Sequence, residues 1–182
     1  MKKLIIAAIA LATIAIAPTT YAQTKMVGGA AMYPTKDIVD NAVNSKDHTT
    51  LVAAVKAAGL VETLKSAGPF TVFAPTNEAF NKVPKDALAS LLKPENKAAL
   101  TKILTYHVVS GKLSAADLMA KIKAGGGKAE LNTVSGGILT AMAQGKKVYL
   151  VDEKGGKSWV TIADVNQSNG VIHVVNTVLM PN

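Results

Sequence analysis

The sequence predicts an α+β domain whose helices come first and whose sheet comes second. Apolar residues recur at helical spacing between residues 36 and 106. Between residues 131 and 179 the apolar spacing changes to strict alternation, broken by glycine, lysine and aspartate turns at hairpin spacing. Because the two patterns are segregated along the chain, we expect separate layers of helices and antiparallel strands rather than βαβ units.

Residues 1–22 have the pattern of a secretory signal peptide. Lys2 and Lys3 precede an apolar block, and Thr20-Tyr21-Ala22 places small residues at the −3 and −1 positions of a cleavage site. The apolar block is shorter than the ~20 residues that span a bilayer. We therefore expect cleavage before Gln23, no transmembrane segment afterwards, and a secreted or periplasmic protein that is able to associate with the cell surface.

The residues after the predicted cleavage site divide into a leader and one domain. Residues 23–35 contain Gly28-Gly29 and Pro34 and have no periodic apolar face, so we expect a flexible leader. The domain is expected to span residues 36–182, which is near the commonest domain size. We take it as a monomer by default.

The first half of this domain is predicted to be mostly helical around one buried strand. Gly59 is a candidate left-handed cap for the second helix, and Thr76 or Asn77 is a candidate N-cap for the short helix that carries Phe80. The predicted elements are helices at residues 38–43, 51–58, 86–92 and 95–105, and a strand at residues 70–74.

The second half opens with one more helix and continues as strands. Ser114 and Asp117 form a candidate capping box, and the run Gly125-Gly126-Gly127 would end the helix that follows it. The predicted strands are residues 131–134, 138–142, 147–151, 158–163 and 171–179.

Three segments together resemble the fasciclin domain family. They are Gly68 to Phe80, Tyr106 to Val109, and Asn169 to Pro181, and their order and spacing cover nearly the whole predicted domain. The resemblance implies a β-wedge of two short sheets with flanking helices packed in the N-terminal half. It also implies that the chain is a secreted or surface protein that mediates adhesion by binding matrix proteins, receptors or glycans. We expect the first and third segments to pair as neighbouring strands in the core.

Composition excludes several classes of function. The chain has no cysteine, which removes thiol catalysis and thiolate metal sites. Its formal net charge is +8, and every basic residue is lysine. Without arginine there are no bidentate forks for phosphate or guanine, so we expect no nucleic-acid binding. His48, His107 and His173 stand far apart with no carboxylate at metal-ligand spacing, so we expect neither a metal site nor a cofactor.

The candidate binding residues are few. His107 lies between apolar neighbours, which favours a buried structural histidine, while the family resemblance implies that the Tyr106-His107 pair serves domain integrity and adhesion. Thr76 and Asn77 lie at a turn where a buried strand ends. Trp159 is the single tryptophan, and the sequence leaves open whether it is a core residue or an exposed binding aromatic.

Other side chains receive structural interpretations. We expect Phe73 and Phe80 in the core, Phe70 at its rim and His173 partly exposed. The carboxylates of two acidic pairs, Asp37 with Asp40 and Asp152 with Glu153, are expected to face solvent.

These observations favour a non-enzymatic binding or cell-adhesion domain that recognises an extracellular or envelope protein or a glycan. The alternative is a carbohydrate or small-ligand module of the cell envelope, which would need exposed aromatics such as Trp159 or Tyr149. A hydrolase with an unrecognised site is the rival from another class, and it would need a titratable cluster in a pocket.

Overall fold

A computed structural model describes residues 24–182, so the predicted signal peptide at residues 1–22 lies outside the described residues. Over the described residues helices dominate the first half and strands the second, which confirms the α+β class. The elements in chain order are β1 Lys25–Val27, β2 Ala30–Met32, α1 Ile38–Ala42, α2 Thr49–Ala58, α3 Val61–Lys65, β3 Phe70–Pro75, α4 Asn77–Asn81, α5 Lys85–Leu91, α6 Lys97–Tyr106, β4 Val108–Ser110, α7 Ala115–Ala124, β5 Lys128–Asn132, β6 Ile138–Gln144, β7 Lys147–Val151, β8 Lys157–Gln167 and β9 Gly170–Val175.

Seven strands form one strongly bent sheet in the order β4-β3-β9-β8-β7-β6-β5. A β-bridge between Val109 and Thr133 connects its two ends, so the sheet is nearly closed. Strand β8 has register shifts between Val160 and Val165, where Asp164 adopts a positive φ of 55°. Such bulges bend a strand, and β8 thereby divides the sheet into the two short halves of the expected wedge.

The two signature segments pair as neighbouring interior strands of this sheet, as predicted. Strand β3 runs parallel to β9 with six residues in register, from Phe70 opposite Gly170 to Pro75 opposite Val175. The strands approach so closely that a Cβ on Gly170 would lie 2.1 Å from the Phe70 carbonyl oxygen. Glycine is therefore required at the start of β9.

Two hydrophobic clusters cover the two faces of the central strands. One cluster packs α1, α2, α3 and α6 against Val72, Ile172 and Val174. The other packs α7 against β5, β6 and β7 and includes Phe73 and Val175. Phe73 and Phe80 are buried as expected, and Phe70 is partly buried. Because both faces of β9 are covered, all six of its residues are buried.

The helix termini follow the predicted cap chemistry. Gly59 ends α2 in the left-handed conformation with φ 72°. Thr76 accepts a hydrogen bond from the Ala79 backbone N–H at the start of α4. Ser114 and Asp117 form the complete capping box of α7. These side chains satisfy backbone donors that a helix otherwise leaves unpaired.

The prediction of a flexible leader is wrong for residues 25–32, which form a β-hairpin. Strands β1 and β2 pair antiparallel, with Val27 opposite Ala30, and Gly28 and Gly29 form the turn at φ 56° and 75°. Val27 and Met32 are buried in the cluster beneath α1 and α2. The two glycines thus serve a hairpin, because two-residue loops of this kind need positive φ.

Two polar residues expected near solvent are buried instead. His173 is fully buried, because β9 lies between β3 and β8 and neither of its faces meets water. Asp152 is also buried, and its carboxylate accepts hydrogen bonds from the backbone N–H groups of Lys154, Gly156 and Met180. It holds the β7–β8 turn against the C-terminal segment.

Within residues 24–182 no helix has the length and apolar character needed to cross a membrane.

Candidate functional site

Tyr106 and His107 lie in the interior, at the end of α6. The Tyr106 hydroxyl donates to the Ile138 carbonyl at 2.8 Å and accepts from the Glu153 backbone N–H at 3.2 Å. Burial raises the pKa of Tyr106 to about 12. With no exposed side-chain surface, Tyr106 connects α6 to strand β6 and to the β7–β8 turn rather than offering a contact to a partner.

His107 joins α6 to the C-terminal segment. Its Nε2 accepts from the Leu179 backbone N–H at 3.0 Å, so Nδ1 carries the proton and donates to the Ile103 carbonyl at 2.8 Å. Burial lowers the pKa of His107 to about 4. The ring is therefore neutral at physiological pH and satisfied at both nitrogens, which is the structural arrangement that the sequence favoured.

Thr76 and Asn77 hold the first turn of α4. Thr76 is the N-cap, and Asn77 accepts from the Thr50 backbone N–H at 3.0 Å and donates to the Lys46 carbonyl at 2.8 Å. The Asn77 amide thus fastens α4 to the start of α2. Both residues remain partly exposed, but their polar atoms already have partners within the domain.

Trp159 lies apart from these residues, on the outer face of the β5–β8 half of the sheet. It pairs with Tyr149 across β8 and β7, and Tyr149 pairs with Met142 across β7 and β6. The Tyr149 and Trp159 rings are 4.8 Å apart between centroids and tilted by 42°. Both side chains are partly exposed, and α7 packs against the opposite face.

Met142, Tyr149 and Trp159 lie side by side on three neighbouring strands, and we call them the aromatic row. Lysine side chains surround this row. The Lys157 ammonium lies 5.7 Å from the centroid of the Tyr149 ring, within the range of a cation–π contact. Lys128, on β5, lies opposite Met142 of β6 and forms an ion pair with Glu130 at 3.5 Å. The face therefore combines partly exposed aromatic surface with positive charge.

Trp159 and Tyr149 were expected from the sequence as candidate binding aromatics, whereas Met142 and Lys157 were not. The alternation in β6, β7 and β8 would have placed all of them on one face, because Ala141, Leu150 and Ser158 alternate with them and are buried. What alternation does not give is the strand register, which decides which residues become neighbours.

A serine and a histidine are paired in the interior beneath the hairpin. Ser45 Oγ lies 2.9 Å from His48 Nδ1, and both residues are buried. The described residues provide no hydrogen-bond partner for His48 Nε2. A hydrolytic triad needs a carboxylate to orient its histidine, and among residues 24–182 none is bonded to this ring.

His173 is likewise used by the fold. Its Nε2 donates to the Leu113 carbonyl at 2.8 Å, its Nδ1 accepts from the Asp164 N–H at 3.3 Å, and its ring stacks on Phe73. Burial lowers the pKa of His173. The described part of the chain contains no group of three His, Asp or Glu side chains placed to hold a metal ion.

Comparison with known proteins identifies relatives over most of this fold. A sequence model described as Fasciclin domain matches residues 46–181. Protein sll1483 of Synechocystis is 45% identical over 175 residues, which are 96% of this chain and 90% of the relative. Immunogenic protein MPB70 of Mycobacterium bovis is 36% identical over 145 residues, which are 77% of this chain and 66% of the relative.

More distant relatives are larger. Transforming growth factor-beta-induced protein ig-h3 of Sus scrofa is 35% identical over 148 residues, and the match covers 81% of this chain but 20% of the relative. Among solved structures, a FAS1 domain pair from the insect cell adhesion molecule Fasciclin I matches with a TM-score of 0.71 at 18% identity. That match covers 80% of this chain and 51% of the other, and it shows a shared fold.

Proposed function

The chain belongs to the fasciclin domain family, and on that premise we propose that it is an exported, non-enzymatic binding domain that acts in adhesion outside the cytoplasm. Adhesion is supported by the structural match, which comes from a cell adhesion molecule. Export is supported by the signal-peptide pattern of residues 1–22.

The outer face of the β5–β8 half is the proposed contact surface. The observation that carries this choice is the aromatic row, in which Tyr149 and Trp159 remain partly exposed at the centre of a sheet face. Buried polar or apolar side chains are usually explained by packing, whereas a contiguous exposed aromatic patch indicates recognition. Tyr106, His107, Thr76 and Asn77 support this surface indirectly by holding the domain together.

The chemistry of this face favours a carbohydrate as the partner, specifically one with acidic groups. Aromatic rings offer flat apolar surface, and Lys128, Lys147 and Lys157 lie on the same face. Lysine ammonium groups attract anionic ligands without the fixed geometry of arginine. An uncharged protein surface would use the aromatic rings but not the lysines.

Binding without turnover is supported by the state of the titratable groups. His107 and His173 are each satisfied by two backbone partners, and Asp152 accepts three backbone N–H groups. General acid–base catalysis needs such groups free to reach a substrate proton. A broad hydrolase and esterase screen of the purified protein is expected to detect no turnover.

The direct test is retention of the purified protein on cell-envelope fractions and on a glycan array. The wild type is expected to bind acidic glycans, and Trp159→Ala and Tyr149→Ala are expected to weaken retention by at least tenfold. Tyr33→Ala is the matched control, since Tyr33 is a 47% exposed tyrosine that directly follows β2 and is not part of the aromatic row. Equal retention of all variants would refute the aromatic row as the contact surface.

A further inference from the structure

The lysines of the outer face lie on both sides of the aromatic row. Lys147 precedes Tyr149 by two residues on β7 and Val151 follows it by two, so all three side chains point to the same face. Val151 lies opposite Lys157 of β8. Lys147 and Lys157 are therefore on opposite sides of the row, each about 7 Å from it along the strand direction.

A third lysine lies at one end of the row. Lys128 of β5 is opposite Met142, and Trp159 of β8 occupies the other end. Neighbouring strands are about 4.8 Å apart, so Lys128 is roughly 14 Å from Trp159 along the sheet. All three lysines are exposed. The row and its lysines thus form a platform that measures roughly 14 Å in each direction.

The charge on this platform is predominantly positive. Glu130 is the only acidic residue among the outward-facing residues of β5 to β7 and of β8 up to Trp159, all of which lie in the described part of the chain. It is on β5 beside Lys128, with which it forms an exposed ion pair. Exposed ion pairs are weak, so an acidic group of a ligand is able to compete for the Lys128 ammonium.

The spread of the three lysines favours a ligand that carries several acidic groups. A single acidic sugar does not reach all three ammonium groups, because Lys147 and Lys157 lie on either side of Tyr149 and Lys128 lies at the end of the row. A linear chain with repeated acidic groups engages them together, since each later contact is intramolecular once the first has formed. The aromatic row provides a continuous path for such a chain across the strands.

From this geometry we propose that the outer face binds a linear acidic polysaccharide whose chain runs along the aromatic row, across the strands. Its sugar rings lie on Met142, Tyr149 and Trp159, and its acidic groups pair with the lysines at the sides and at the end. This inference rests on the proposed function and specifies the form of the ligand, which is several acidic units in one chain rather than one acidic sugar at the tip of a glycan.

The test uses oligogalacturonates of one to six units, with calorimetry for affinity and Trp159 emission for the location of binding. The hexamer is expected to bind at least tenfold more tightly than the monomer. Lys128→Gln, Lys147→Gln and Lys157→Gln should each weaken hexamer binding about fivefold and reduce its salt dependence, because each removes one charge contact. Lys93→Gln, at an exposed lysine between α5 and α6 and outside the sheet, is the matched control and should change neither.

Glu130→Gln provides a prediction of the opposite sign. The substitution frees Lys128 and removes the acidic group beside the path, so hexamer affinity should rise about 2- to 5-fold. The proposal is overturned if the monomer binds as tightly as the hexamer, if the three lysine variants behave like Lys93→Gln, or if a single-stranded thymidine oligomer of equal charge binds more tightly than the hexamer. Equal binding of monomer and hexamer with a response of Trp159 contradicts the chain-like ligand but still supports the contact surface, whereas no response to any acidic glycan contradicts both.

Discussion

Removing the His107 side chain is expected to destabilise the domain by about 2–5 kcal/mol. His107→Ala leaves the Leu179 backbone N–H and the Ile103 carbonyl without their partners, and an unsatisfied buried group costs about 1–3 kcal/mol. The lost ring also leaves a cavity at a position that is 3% exposed, which adds to the loss. The C-terminal segment around Leu179 should loosen first.

Denaturant unfolding of the parent and the variant measures this effect, with circular dichroism and Trp159 emission as two probes. The midpoint is expected to fall at constant slope. His107→Gln is the matched variant, because an amide is able to donate to one backbone partner and accept from the other, and it should recover part of the loss. An unchanged midpoint for His107→Ala, together with lost retention on envelope fractions, would refute the structural role and make the histidine a contact residue.

Four further perturbations probe other parts of the fold. Acidification is expected to destabilise the domain as the pH falls from about 6.5 towards 4. Burial lowers the pKa of His107 to about 4 and that of His173 below its ordinary value, so the unfolded chain binds protons at a higher pH than the folded domain. For His107 alone the free energy of unfolding should fall by about 3 kcal/mol, and a flat stability profile over this range would contradict the expectation. Val174→Ala, at a 2% exposed position on β9, should lower the free energy of unfolding by about 1–3 kcal/mol in the same denaturation assay, and a loss below about 0.5 kcal/mol would contradict the central place of β9. Thr76→Ala should lower the free energy of unfolding by about 1 kcal/mol, because α4 loses its N-cap. Glu78→Gln, in the same helical turn, should shift the melting temperature less than Thr76→Ala, and no enzymatic activity should be lost in this variant.

Much of the fold follows from local sequence chemistry. The period-two alternation predicts the meander, and the caps at Gly59, Thr76 and Ser114 lie where their residue types indicate. The pairing of β3 with β9 was expected from the family's signature segments rather than from periodicity. It is a parallel contact between residues about 100 positions apart, and no local pattern specifies such a partner.

The errors have physical causes that local patterns hide. Alternation assigns His173 to a solvent face, but a strand in the middle of a sheet covered on both sides has no such face. Asp152 lies in a glycine-rich turn, yet the backbone N–H groups of that turn and of Met180 draw its carboxylate inward. The β1–β2 hairpin has three-residue strands of modest β propensity, and burial of Val27 and Met32 stabilises it.

The sequence predicted part of the candidate binding surface. Trp159 and Tyr149 were recognised as possible ligand aromatics, while the register that brings them to 4.8 Å and adds Met142 required the structure. Tyr106 and His107 are marked by the family motif, and their burial indicates a role in the stability of the domain. A signature motif can therefore identify a core rather than a contact site.

The most direct test of the proposed binding role is a fluorescence titration of the single tryptophan. Trp159 lies within the aromatic row, so its emission reports on that face alone. Adding the acidic glycan retained in the array experiment is expected to change Trp159 emission in a saturable manner, to the same extent in Tyr33→Ala and with at least tenfold weaker affinity in Tyr149→Ala. Retention of the glycan with unchanged Trp159 emission, or with equal affinity in Tyr149→Ala, would contradict the assignment of this face as the binding surface.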